Sequence, residues 1–242
     1  MLPQGRDPPY AYMEETVRSW LEAAGATLVP ILPTITAAEA AAYFEYIHGL
    51  FLHEGWADKR EYLELVTLFL NMATLANKAG DYFPVWGTCH GMQLIMQHFG
   101  GKLERMTPPV GRSFILHPNR SPSRLLAYGQ IRNPDMLFFS HEHGITLHNF
   151  MKRRSALKVL STSHDSEGTE YVSMIEGRDL PFYGTQFHPD RKESHLGWMA
   201  AFFVAEARKS KHRGFDPGRR LELKRAVCQE EIGSTLCLRI NL

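Results

Sequence analysis

The residues most able to do chemistry cluster in Pro84-Val-Trp-Gly-Thr-Cys-His-Gly-Met-Gln-Leu-Ile95, where an apolar run meets Gly-Thr-Cys-His-Gly and a helical pattern follows at once. Gly87 and Gly91 stand two residues to either side of Cys89. This is nucleophile-elbow spacing, G-x-C-x-G in place of G-x-S-x-G, which sets a nucleophile on a tight strand-to-helix turn. The glycines are required because neighbouring backbone crowds such a turn. The helix N-terminus is expected to favour thiolate at Cys89 and lower its pKa. The amide of His90 is expected to point where an oxyanion forms. The alternative is a structural cysteine at the end of a strand, since free cysteine is among the most buried residue types. The position between a clear strand and a clear helix favours the nucleophile.

A second segment, Phe182-Tyr-Gly-Thr-Gln-Phe-His-Pro-Asp190, supplies a partner. A histidine at the C-terminal edge of a strand can reach a cysteine on a parallel neighbour, and a carboxylate two residues on can fix its tautomer. His188 is therefore the candidate base and Asp190 its orienting group. Taken alone, His188 is equally a histidine in a β-to-α loop, one of twelve in the chain. The elbow cysteine is what raises it. His141-Glu-His143 and His188-x-Asp190 resemble fragments of a metal site, but no second spaced ligand pair completes one, and no metal is expected.

The elements around these segments alternate short apolar runs with helical stretches, the pattern of an α/β fold on a largely parallel sheet. Tyr12 to Gly25 reads as a helix with Met13, Val17, Trp20, Leu21 and Ala24 on one face and Gly25 as its stop. Thr27 to Leu32 reads as a strand closed by Pro33. Thr36 caps a helix running to Ile47, Gly49 to Leu52 is a short buried strand, and Asp58 to Ala79 is a long helix. Pro84 to Thr88 is the strand before the cysteine. Met136 to Ser140, Leu157 to Thr162, Glu170 to Ile175 and Phe182 to Phe187 are further strands, and His195 to Ala207 is a final helix.

Composition sets the bounds. A chain of 242 residues buries about 70–75% of its unfolded surface, so it needs no disulfide or metal to fold. The formal charge of +1 is too balanced for an electrostatic binder of nucleic acid or membrane. Three cysteines exclude a dense disulfide framework, and no apolar run reaches the roughly 18–20 residues of a membrane span. The opening residues have neither the basic start nor the apolar core of a secretory signal. Arg208 to Arg225 holds eight Lys/Arg against Asp216 and Glu222 and is read as a solvated tail. Cys228 and Cys237 beyond it are either a pair or two surface thiols.

Asp81-Tyr-Phe-Pro-Val-Trp-Gly-Thr-Cys89 and Tyr183-Gly-x-Gln-Phe-His-Pro-Asp190 resemble the class I glutamine amidotransferase-like superfamily, most closely its γ-glutamyl hydrolase branch. Leu21-Glu-Ala-Ala-Gly-Ala-x-Leu-Val-Pro30 and Ala201-Phe-Phe-Val-Ala-Glu-Ala-Arg208 extend the likeness from about residue 10 to 210. The resemblance implies a three-layer, flavodoxin-like α/β sandwich, with a catalytic domain over residues 1–208 and a basic tail over 209–242. It also implies a cysteine peptidase of γ-glutamyl amide bonds, typically those of folylpoly-γ-glutamates, with no cofactor. By residue, Cys89 matches the nucleophile and His188 the base. Asp190 matches a position usually held by Glu. His141 matches a histidine near substrate, and Gln93 matches a position expected to meet the α-amino or α-carboxyl group of the substrate. Members work in lysosomes, vacuoles or outside cells; without a visible signal, a cytoplasmic location stays open. They are often dimers, so a homodimer is an expectation, although no interface is legible in the sequence.

Two stretches depart from the family pattern. Where the family carries Pro-Gly-Gly at an oxyanion turn, this chain has His53-Glu54-Gly55. If Glu54 points inward, it sets negative charge beside the developing oxyanion and activity is expected to fall by orders of magnitude; if it points to solvent, Gly55 still supplies the second oxyanion amide and activity is expected to survive. The apolar strand that the family places before its first helix also has no visible counterpart, so either the sequence is truncated or a neighbouring sheet edge is left open. Two further readings follow: a glutaminase subunit delivering ammonia to a synthase, and a weakened homologue that binds γ-glutamyl ligands without efficient turnover.

Overall fold

The computed structural model describes residues 10–53, 60–107, 117–118, 122–131, 137–152, 155–214, 227–232 and 235–241. Strand β1 (Tyr10–Glu14) runs directly into helix α1 (Glu15–Ala23), followed by α2 (Ala37–Tyr46), β2 (Leu50–Leu52), α3 (Arg60–Lys78), β3 (Val85–Thr88) and α4 (His90–His98). Short pieces come next: β4 (Glu104–Arg105), β5 (His117–Pro118), α5 (Arg124–Tyr128), β6 (His143–Gly144) and α6 (Leu147–Met151). The chain then forms β7 (Leu157–His164), β8 (Glu170–Gly177), β9 (Phe182–Thr185) and α7 (Gly197–Ala207), and ends with β10 (Val227–Ile232) and β11 (Thr235–Asn241).

Local chemistry accounts for the helices that frame the site. The Thr36 side chain accepts the Glu39 amide while the Glu39 carboxylate reaches back to the Thr36 N–H, a complete capping box at the start of α2. In α1, Val17, Trp20 and Leu21 are buried while Arg18 bridges Glu15 and Glu22 on the other face. Gly25 leaves the helix with φ 89°, a left-handed conformation that glycine adopts without strain. The expected helix over Tyr12 to Gly25 begins later, at Glu15, because the preceding residues are drawn into a strand.

The central sheet has six strands in the order β2-β3-β9-β8-β7-β5. Parallel pairing joins β2, β3 and β9, and the remaining strands extend the sheet antiparallel. Alternation along the parallel strands builds two cores. Leu50, Leu52, Val85 and Phe182 face the layer of α2, α3 and α4. Phe51, Trp86 and Tyr183 face the layer of α1 and α7. The outcome is the three-layer sandwich expected.

Two expected strands do not form among the described residues. Thr27 to Leu32 forms no ladder among the described residues. Pro30 and Pro33 lack N–H donors, and a cleft of about 450 Å³ lined by residues 25–31 and 46–51 lies between this segment and β2. Of Met136 to Ser140, Met136 lies outside the described residues and 137–140 are irregular. A bond from His188 N–H to the Phe138 carbonyl (2.9 Å) ties that segment beside the end of β9.

A separate three-stranded sheet, in the order β1-β11-β10, is antiparallel. The stretch read as a tail therefore carries two strands, the second paired with Tyr10–Glu14. In their register Cys228 lies opposite Arg239 and Cys237 opposite Glu230. No helix among the described residues is long and apolar enough to cross a membrane.

Candidate active site

Adjacent parallel strands deliver the two principal candidates to one sheet edge. Thr88 pairs with Thr185 at the last rung between β3 and β9, and the Cys89 N–H donates to the Thr185 carbonyl at 2.7 Å. Cys89 then turns with φ 52° and ψ −108°. A non-glycine residue held there stores strain of about 1–3 kcal/mol and persists only where its surroundings impose it. The flanking glycines impose it here. A Cβ on Gly87 would lie 2.4 Å from the Gly91 carbonyl carbon, and one on Gly91 only 2.2 Å from the Leu52 carbonyl oxygen. The Cys89 carbonyl accepts the Gln93 N–H at 3.1 Å, which starts α4 without an intervening loop.

Cys89 is buried, 7% exposed as a residue. Its thiol donates to the Ser140 carbonyl at 3.7 Å, and the Gln186 Nε2 donates to the sulfur at 3.5 Å. Burial pushes the thiol up to about 12. The His90 amide and Gln186 pull it down, while the Asp190 and Glu14 carboxylates add to the rise. The sequence leads to the opposite expectation from the helix N-terminus. The difference arises because loss of water around a charged sulfur outweighs one turn of helix dipole. Burial thus favours the neutral thiol at Cys89.

His188 is also buried, and burial, with Arg191 and His53 nearby, holds its imidazole down to about 3. Asp190 is buried and its carboxylate accepts the Thr16 hydroxyl at 2.7 Å, tying the loop after β9 to α1. Burial keeps this carboxyl above its ordinary range. Arg191 pairs with Glu14 at 3.2 Å and covers the Phe138 ring at 5.1 Å. His53, at the end of β2, accepts the Glu14 N–H on Nε2 at 3.4 Å and is held neutral by burial, down to about 4. Glu54 and Gly55 lie outside the described residues.

His141 and Gln93 meet at one carbonyl, that of His143, which approaches His141 Nδ1 at 3.0 Å and accepts Gln93 Nε2 at 2.7 Å. Gln93 also donates to Gln186 Oε1 at 3.1 Å. Its amide thus faces inward, behind the sulfur. Burial lowers the His141 imidazole to about 4. Among the described residues no group of three His, Cys, Asp or Glu is arranged to hold a metal ion.

Spacing and residue type do not single out Gln186 or Thr16. Gln186 does carry a signal: it is a long polar side chain within the expected strand Phe182 to Phe187, two positions before the candidate base, and such a residue needs a buried partner. Thr16 carries none, since its contact spans 174 positions.

A glycine-flanked cysteine turn after β3 and a histidine after the neighbouring parallel strand β9, in a three-layer sandwich, match a known class. The family described as Glutamine amidotransferase class-I matches residues 11–204, and the chain belongs to it. Solved structures bear out the fold: a putative GMP synthase protein from Thermoplasma acidophilum superposes with a TM-score of 0.59 at 18% identity, covering 81% of this chain and 88% of that one. The glutaminase domain of Trypanosoma brucei CTPS gives the same TM-score at 15% identity, with the same coverage.

Within the family, the likeness to γ-glutamyl hydrolases is also borne out. The chain is 29% identical to γ-glutamyl hydrolase of Bos taurus, over 83% of this chain and 72% of the relative. It is 28% identical to that of Homo sapiens, over 83% and 72%. It is 26% identical to γ-glutamyl hydrolase B of Dictyostelium discoideum, over 84% and 67%.

Proposed function

We propose that this chain hydrolyses γ-glutamyl amide bonds through Cys89, with folylpoly-γ-glutamates as the substrate class. The observation that carries the reading is the strained, glycine-flanked Cys89 directly after β3 with His188 following β9, in a chain whose relatives are named γ-glutamyl hydrolases. Both groups start neutral, so the proton leaves the thiol for His188 as sulfur attacks the γ-carbonyl. The amide of His90, with that of Gly55 as the second donor, stabilises the oxyanion. The C–N bond breaks as His188 protonates the leaving amine. Water then attacks the thioester, His188 takes its proton, and the γ-carboxyl product departs as Cys89 regains a thiol. Asp190 orients the loop that carries His188. His141 borders the substrate space, and Gln93 acts from behind the sulfur. The step needs no cofactor. A homodimer in a lysosomal, vacuolar or extracellular setting belongs to the same reading.

The test compares purified protein on a pteroyl-di-γ-glutamate and on free glutamine, each with Cys89→Ala as control. Glutamate released from the first, with little ammonia from the second, supports the hydrolase. Ammonia from glutamine that rises with a synthase partner favours the amidotransferase alternative. Binding of the pteroyl substrate without turnover identifies the weakened homologue and overturns the proposal.

A further inference from the structure

Behind the Cys89 sulfur lies a chain of two amides. Gln186, fully buried immediately after β9, donates Nε2 to Cys89 Sγ at 3.5 Å. Its Oε1 accepts Gln93 Nε2 at 3.1 Å, and the same nitrogen donates to the His143 carbonyl at 2.7 Å. The direction of the relay follows from its far end. A main-chain carbonyl only accepts, so Gln93 must turn its nitrogen toward His143. That nitrogen faces Gln186, which must answer with oxygen and so present its own N–H groups to the sulfur. The orientation of Gln186 is therefore set by a backbone group on β6, not by the cysteine.

We propose that Gln186 is a catalytic residue whose side-chain N–H holds the Cys89 thiolate as it forms, and that Gln93 is the positioning residue that keeps this N–H aimed at the sulfur. The inference rests on the reading of Cys89 as nucleophile. A neutral donor bonds more strongly to a charged sulfur than to a thiol, so its contribution appears when the proton leaves. The other groups facing the sulfur make the donor matter. Asp190 and Glu14 oppose charge there, Tyr171 of β8 lies within electrostatic range, the Ser140 carbonyl favours the protonated thiol, and His90 adds a single amide in support. Gln186 is the second donor. It lies on the segment after β9 that also carries His188, so the proton acceptor and the thiolate donor are positioned by one stretch of chain.

The experiment is the rate of Cys89 alkylation by iodoacetamide at one fixed pH near neutrality, read by mass spectrometry alongside kcat and KM on a pteroyl-di-γ-glutamate. The proteins are wild type, Gln186→Leu, Gln186→Glu and Gln93→Met. Gln186→Leu should slow alkylation and lower kcat about 10–100-fold, the effect of one lost hydrogen bond to a charged group, with a much smaller change in KM. Gln186→Glu, with a carboxylate in the same place, should slow alkylation further. Gln93→Met leaves Gln186 present but unanchored and should slow alkylation by less; it carries the test if the Gln186 variants do not fold. A purely structural role would lower thermal stability and leave alkylation of the folded protein as fast or faster, and alkylation no slower than wild type with wild-type kcat overturns the proposal. If alkylating wild-type Cys89 leaves hydrolysis intact, the nucleophile reading itself fails. If alkylation abolishes hydrolysis while the variants are alkylated like wild type, only the amide relay fails.

Discussion

Gly91 and Leu52 approach so closely that a single methyl group on Gly91 would sit 2.2 Å from the Leu52 carbonyl oxygen. The first turn of α4 is thereby wedged against the end of β2, and the strained backbone of Cys89 is held between that contact and the bond from its own N–H to Thr185. The shape of the elbow is set by main chain on both sides, which no rotamer change can relieve.

Gly91→Ala should therefore displace α4 or β2 and destabilise the protein by about 1–3 kcal/mol, the usual range for overfilling a close-packed interior. Gly197, at the start of α7, is the control: a Cβ there meets nothing within 4 Å, so Gly197→Ala should be neutral or slightly stabilising. Chemical denaturation of both variants decides the matter. Equal stabilities would contradict the steric account.

Acid should weaken the fold. Burial lowers His53 and His141 to about 4 and His188 to about 3. In the unfolded chain all three take up protons near pH 6.5. Between that pH and the folded values the unfolded state binds protons that the fold refuses, so stability falls as pH falls. Each histidine contributes about 1.4 kcal/mol per pH unit. Asp190, raised by burial, works in the opposite direction on a single proton. The melting temperature should thus drop clearly from pH 7.5 to pH 5, and a flat profile would count against three buried neutral histidines.

Thr16 holds the Asp190 carboxylate at 2.7 Å from outside its own loop. Thr16→Val keeps the shape and removes the donor, leaving a buried carboxylate short of a partner. Stability should fall by about 1–3 kcal/mol. Because the same loop carries His188, kcat should fall about tenfold or more as the base loses its alignment. An unchanged kcat in a destabilised variant would separate Asp190 from the chemistry.

The part of the fold closest to the chemistry is legible from sequence because local rules dominate there. Gly87, Cys89 and Gly91 announce the elbow through spacing, Thr36 and Glu39 announce the start of α2, and the apolar run before Cys89 marks β3. What stays hidden depends on distant partners. Thr27 to Leu32 has the residues of a strand but faces a cleft. Tyr10–Glu14 is a strand only because residues 235–241 pair with it. Within the site, Cys89 and His188 are visible as types able to react, whereas Gln186 works through the direction of its amide, which depends on Gln93 and the His143 carbonyl. The thiol shows the same limit. A helix follows it in sequence, but how deeply it is buried is decided by Ser140 and Gln186 from other parts of the chain.

The most direct test of the central claim is to trap the covalent intermediate. Rapid acid quench of the protein during turnover of a pteroyl-di-γ-glutamate, followed by mass spectrometry of its peptides, should find the acyl mass on the peptide containing Cys89. Cys89→Ala should lose turnover by about four orders of magnitude or more. Retained turnover in Cys89→Ala, or steady hydrolysis with no acyl group on that peptide, would contradict the account.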